Sequence, residues 1–280
     1  MKKFIRIFIS LAAAMLLLPA AAIAPAGCGE SRHGDTGQDP TVAQAGAQVN
    51  TSGATTAAAT EAFNAVDLPI TPGHQVVYDS NSPGSAVSVS FDLKGPWKFT
   101  GTPAQSTLSV TLMATGQSPD ASQFGDASVS SGTSWNSAAA SEYNFQSRDD
   151  STWYSYGRSF AGGSPSVTYS SRSRALIFPM TVGTAWVDTY TERKGGSLSD
   201  VTAENRVIAL NELTVPAGTF NAWLLQTKVS SRSAGATTTM IDYSWFVPGI
   251  GRAAEIISKP DERSDVFSTA RAFYRLKSYK

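Results

Sequence analysis

The chain of 280 residues contains one cysteine, Cys28, and two histidines, His33 and His74. A lone cysteine rules out an internal disulfide framework and any structural zinc set built on paired cysteines. So few histidines leave His74 as the one candidate for the commonest general base of enzymes within the folded part. There is no H-E-x-x-H and no phosphate-cradling glycine loop. The nearest approach to a G-x-S-x-G nucleophile elbow, Gly157-Arg158-Ser159-Phe160-Ala161, lacks its second glycine and has no histidine after it. No metal site and no cofactor is expected. Charge is also scarce: 16% of residues are charged, with 22 basic and 22 acidic. No basic stripe of the kind that nucleic acid demands is present. The local group Arg271, Arg275, Lys277 and Lys280 reads as the solvent face of a last strand.

What is there begins with an address. Lys2, Lys3 and Arg6 precede an apolar run from Ile7 to Leu18, and small residues then lead to Gly27-Cys28. This is the layout of a secretory signal peptide over residues 1–27. The run is shorter than the roughly 20 residues of a membrane span. Ala26-Gly27-Cys28 resembles the end of a bacterial lipoprotein box, in which the cysteine becomes the lipidated first residue of the mature protein. Pro25 departs from the branched aliphatic residue usual in that box. A thioether to lipid accounts for a lone cysteine in an oxidising compartment better than a free thiol does. Several acyl chains on one residue hold firmly, since each buried CH2 adds about 0.8 kcal/mol. By the same resemblance, Gly29 implies outer-membrane sorting. Loss of Lys2, Lys3 and Arg6 with the signal leaves 19 basic against 22 acidic residues, a net of −3.

Residues 28–62 follow as a tether. From 29 to 62 there is no Leu, Ile, Met or aromatic residue, and only two Val. Such a segment cannot bury enough apolar surface to offset its ordering entropy, and a flexible chain of this length spans roughly 30 Å. All the Trp and Tyr lie beyond it, so residues 63–280 read as a single β-rich domain.

The domain is patterned with a period of two. Val87, Val89, Phe91 and Leu93 share one face of 85–94, and Leu108, Val110 and Leu112 one face of 107–113. In 201–215, Val201, Ala203, Val207, Ala209, Leu213 and Val215 share a face, while Ile208 and Leu210 break the rule and mark a stretch covered on both sides. This alternation describes half-buried strands. Pro216-Ala217-Gly218 and Pro248-Gly249 are turn signals between them. The expected fold is all-β: a curved antiparallel meander forming a half-barrel or open barrel, with room for one short helix within 115–141.

Four stretches, FDLKGPWKFT (91–100), LIFPMTVGTAW (176–186), LTVPAGTFNAWLLQTKV (213–229) and YSWFVPGIGRAAEI (243–256), resemble a group of bacterial lipoproteins and periplasmic proteins without an assigned activity. The V-P-A-G-T-F hairpin and the W-[YF]-x-P-G-[VI]-G strand end are its marks. The resemblance implies a half-barrel similar to lipoprotein-sorting factors, whose concave side holds acyl chains. Trp97, Trp223, Tyr243, Trp245 and Phe246 are then candidates for lining a ligand groove, against a plain role as apolar anchors.

The expected function is an envelope lipoprotein, held in the outer membrane through Cys28, acting as a non-catalytic binding module for an apolar ligand, a lipid or an envelope partner protein. Two alternatives stand beside it. One is a docking surface at a sheet edge. The other is a hydrolase with a carboxylate pair, drawn from Asp149, Asp150, Glu192, Asp200, Glu204, Glu212, Asp242 and Glu255, with Asp242 nearest the aromatic cluster.

Overall fold

The computed structural model describes residues 61–81, 84–101 and 105–280. The signal segment, Cys28 and the tether as far as residue 60 lie outside the described residues. Fourteen strands follow in chain order: β1 (Gln75–Ser80), β2 (Val87–Ser88), β3 (Trp97–Lys98), β4 (Ser106–Ala114), β5 (Val129–Trp135), β6 (Glu142–Arg148), β7 (Thr152–Phe160), β8 (Val167–Ile177), β9 (Ala185–Lys194), β10 (Ser197–Val215), β11 (Gly218–Ser233), β12 (Ala236–Val247), β13 (Gly251–Ser258) and β14 (Thr269–Tyr279). From β4 to β14 each strand pairs antiparallel with the next, and β1 pairs with β4 on one side and β14 on the other. The ring therefore closes through twelve strands.

Closure corrects the expected half-barrel or open barrel. Residues of β1 lie opposite β14 from Val76↔Tyr279 to Ser80↔Tyr274. Period-two alternation is the same in an open sheet and a closed one, so the pattern carries no sign of this pairing. The short helices near 115–141 are 3-10 turns, Thr115–Gln117 and Ala121–Phe124. The second sets Phe124 flat against Phe145, with ring centroids 4.0 Å apart.

The break in alternation at Ile208 has a specific cause. The β10–β11 register slips between Val207 and Ala209, a bulge that re-aims the rest of the hairpin. Beyond it the tip folds toward β14, and Ala217 N–H donates to Leu276 O at 3.1 Å. The stretch 85–101 is mostly not laddered. Its alternating Val87, Val89, Phe91 and Leu93 instead pack on the apolar cluster around Tyr243, Trp245 and Ile256. Residues 240–247 of β12 and most of β13 are consequently buried on both faces, one toward the lumen and one beneath this outer layer.

Elsewhere the outer wall is polar. Ser170, Arg172 and Arg174 on β8, Thr189 and Arg193 on β9, and Glu204 and Arg206 on β10 are all exposed. Val187 on β9 and Leu198 on β10 are the exposed large apolar residues on these strands.

One end of the barrel is plugged by the start of the described chain. Phe63 is fully buried, exchanges two backbone hydrogen bonds of 2.9 Å with Met180, and packs on Trp223 and Phe246 at 5.6 and 6.1 Å. A 3-10 turn, Ala65–Asp67, follows. Arg148 Nη1 donates to the carbonyls of Ala65 and Leu68, and Gly249 N–H donates to Asp67 O at 2.7 Å. Leu68-Pro69-Ile70 then crosses the mouth.

Candidate functional site

The lumen is polar at mid-height. Because side chains alternate across each strand, the inward row of β12 is Asp242, Ser244 and Phe246. Ser244 lies opposite Glu255 and Leu225, and Asp242 opposite Thr227. Glu142, Asn144, Arg158, Glu192 and Asn205 are buried as well. Charge buried at this density persists only where opposite charges and hydrogen bonds meet it.

Two arginines organise it. Arg252 Nη1 donates to Glu255 Oε1, with Glu255 fully buried. Asp242 Oδ1 accepts from Ser244 Oγ at 3.1 Å. Asp242 and Glu255 lie within hydrogen-bonding reach of each other. Burial pushes both carboxyls up, Glu255 the further, and only partial relief comes from Arg252. Glu255 Oε2 is buried and finds no donor among ordinary N–H and O–H groups. A proton retained by either carboxyl, the direction in which burial pushes both, would supply that donor. Farther round the lumen, burial raises Glu192 against the opposing pull of Arg158 and Lys194.

Two cavities border this network, and both touch Trp153 and Arg252. The larger, about 80 Å³, lies under the strap at the mouth. Leu68, Pro69 and Ile70 roof it, Val76, Val110, Leu112 and Ile250 wall it, and Ser131, Gln146 and Arg252 give it polar ground. Pro69, Ile70, His74 and Leu112 are only half-buried, so the cavity meets solvent at this rim. His74 Nε2 contacts Ile250 O at 3.2 Å and stiffens the edge. The smaller cavity, about 40 Å³, runs between Asp242, Asn205 and Thr227 on one side and Ser173 and Tyr190 on the other.

The five groove candidates are placed apart. Trp97, Tyr243 and Trp245 belong to the cluster beneath the outer layer, whereas Trp223 and Phe246 pack around Phe63 inside the mouth. All five are at most 3% exposed. Trp245 meets Phe99 at 5.0 Å, Trp97 at 5.8 Å and Phe91 at 6.2 Å. Tyr243 Oη donates to Asp265 O at 2.6 Å and accepts from Gln226 Nε2. The two sets belong to separate clusters, and Phe246 also lines the smaller cavity beside Asp242 and Ser244.

The carboxylate candidates scatter likewise. Asp149 caps a turn through Ser151 and Thr152 N–H groups, Asp200 accepts from Thr191 Oγ1, and Glu204 and Glu212 are exposed. Only Asp242 and Glu255 come together, and they do so in contact rather than across the roughly 5–10 Å that glycoside chemistry requires. Sequence reading passed over Arg252 and Phe63. The signals available were a charge inside the apolar run GIGRAAEI and the first aromatic residue after the tether.

Comparison with known proteins finds similarity at low identity only. No family profile matches the chain, and no curated protein matches it. Among solved structures it is similar to a candidate lipoprotein of Parabacteroides distasonis ATCC 8503, with TM-score 0.45 and 13% identity over 77% of this chain and 98% of that one. It is also similar to a candidate exported protein with a YmcC-like fold from Bacteroides fragilis NCTC 9343, with TM-score 0.47 and 10% identity over 77% of this chain and 99% of that one.

Proposed function

We propose that the chain is an envelope lipoprotein, tethered through Cys28, whose barrel is a non-catalytic binding module with its ligand site in the cavity beneath the strap. The observation that carries this reading is the mouth cavity itself: apolar walls, a polar floor at Arg252 and Gln146, and a half-buried rim. At about 80 Å³ it holds two or three groups the size of a water molecule, each about 30 Å³. That suits the end of an acyl chain or another small apolar group, with the rest of the ligand outside. The contact between Asp242 and Glu255 supports a non-catalytic role, since it leaves no space for a scissile bond between them.

The test is a titration with a fluorescent fatty acid. Saturable binding to the wild type, lost in Val110→Trp, is expected, because the larger ring fills the cavity. No binding to the wild type, or equal binding to the variant, overturns the assignment. The anchor is tested separately by labelling with a fatty-acid analogue, where incorporation that persists in Cys28→Ala contradicts it.

A further inference from the structure

The floor of the mouth cavity carries hydrogen-bonding groups that the fold leaves unanswered. Ser131 on β5 and Gln146 on β6 line the cavity and are 5% and 4% exposed. Neither side chain makes a hydrogen bond among the described residues. Arg252 reaches the same cavity from β13, across the lumen. A guanidinium carries several N–H groups, and the side-chain hydrogen bond that Arg252 makes among the described residues is the one to Glu255. Trp153 Nε1, a buried donor without a partner, borders the cavity as well. Polar groups buried without a partner cost free energy, and a molecule that answers them recovers it.

Their valence says what that molecule offers. Arg252, Trp153, the Gln146 amide and the Ser131 hydroxyl all donate, and only the last two also accept. Among the lining residues the fixed charge is that of Arg252. Burial pushes Asp242 and Glu255 toward their neutral forms, which leaves the guanidinium to an incoming anion. Above this floor the walls are apolar, with Val76, Val110 and Leu112 leading to the half-buried rim at Ile70.

We propose that the ligand is a fatty acid that enters carboxylate first, its head group held at the floor by Arg252, Gln146 and Ser131 and its chain leaving past Val110 to the rim. This rests on the mouth-cavity reading above and adds to it the head group and the direction of entry. A cavity of about 80 Å³ takes the carboxylate and the carbon beside it, so the remainder of the chain lies at and beyond the rim. A carboxylate answers a donor-rich floor with two oxygens, and its charge-assisted hydrogen bonds are roughly twice as strong as neutral ones. An alcohol of the same length brings one oxygen and no charge.

The probes are decanoate and decanol, each competing with the fluorescent fatty acid for the full-length protein. Decanoate is expected to displace it at a concentration about tenfold lower than decanol does, the effect of hydrogen bonds to a charged group. Gln146→Leu keeps the size of the pocket but loses the amide, and the gap narrows. Should that variant not fold, orientation is read on the wild type by NMR, with decanoate carrying a carbon label at its carboxyl or at its methyl end. A soluble gadolinium chelate then broadens the methyl signal and spares the carboxyl. Equal displacement by acid and alcohol, an unchanged gap in a folded Gln146→Leu, or a carboxyl signal broadened as much as the methyl overturns the head-first proposal and leaves the cavity reading standing. A fluorescent acid that does not bind the wild type overturns both.

Discussion

Asp242 and Glu255 face each other diagonally across β12 and β13 on the lumen side, in hydrogen-bonding reach, with Arg252 on the same wall. This arrangement ties the fold to pH. Burial raises both carboxyls, so the folded barrel keeps a proton that the unfolded chain releases above about pH 4. Its contribution to stability is complete below that pH and falls as pH rises through the raised folded-state values. Glu255→Gln keeps an acceptor for Arg252 and offers Asp242 a permanent N–H donor. Thermal unfolding between pH 5 and 9 is expected to show a wild-type Tm that drops more steeply toward high pH than the variant's. Parallel curves would contradict the retained proton.

Removing the cation of the same group acts differently. Arg252→Met leaves a buried carboxyl pair without its counter-charge, at a cost of about 3–5 kcal/mol. Denaturant titration at pH 7 measures it. A loss below about 1 kcal/mol would mean that the arginine is not the lumen's counter-ion.

Phe63 is the stopper of the mouth. Phe63→Ala removes a fully buried ring that packs on Phe178, Trp223 and Phe246, and is expected to cost about 3–5 kcal/mol. Hydrogen exchange should localise the added opening to residues 63–70 and to Met180, its backbone partner. Uniform acceleration throughout the barrel would show that the segment does not act as a separate plug.

Gly157 sits in β7 at φ +134°, where an added Cβ would lie 2.2 Å from the backbone oxygen of Val167. Gly157→Ala is expected to destabilise by about 2 kcal/mol or more through strain and a displaced β8. Gly162, with φ +87° but open space around it, serves as the control for strain without a clash.

Much of this architecture was legible in the sequence, and the limits are physical. Alternation in 107–113 and 201–215 marked β4 and β10, and Pro216-Ala217-Gly218 marked the hairpin between β10 and β11, with Val215 opposite Gly218. The irregularity at Ile208 was visible, but a bulge and a doubly covered strand write the same pattern. The alternation in 85–94 was real yet misleading as to pairing: Val87, Val89, Phe91 and Leu93 do turn one face to the core, though only Val87 of the four, with its neighbour Ser88, is laddered as β2. Closure depends on Val76 meeting Tyr279 some two hundred positions away, which no local period encodes. At the site, Asp242 was singled out from its place beside the aromatic run. Its partner Glu255 was only one of several acidic residues, because which carboxyls meet is decided by strand register and not by spacing along the chain.

Native mass spectrometry of the protein purified from its own envelope, wild type beside Val110→Trp, tests the central claim most directly. The account predicts a lipid or other small apolar molecule retained by the wild type and absent from the variant, whose mouth cavity is filled. An unliganded wild type, or the same molecule carried by both proteins, would contradict a ligand site beneath the Leu68-Pro69-Ile70 strap.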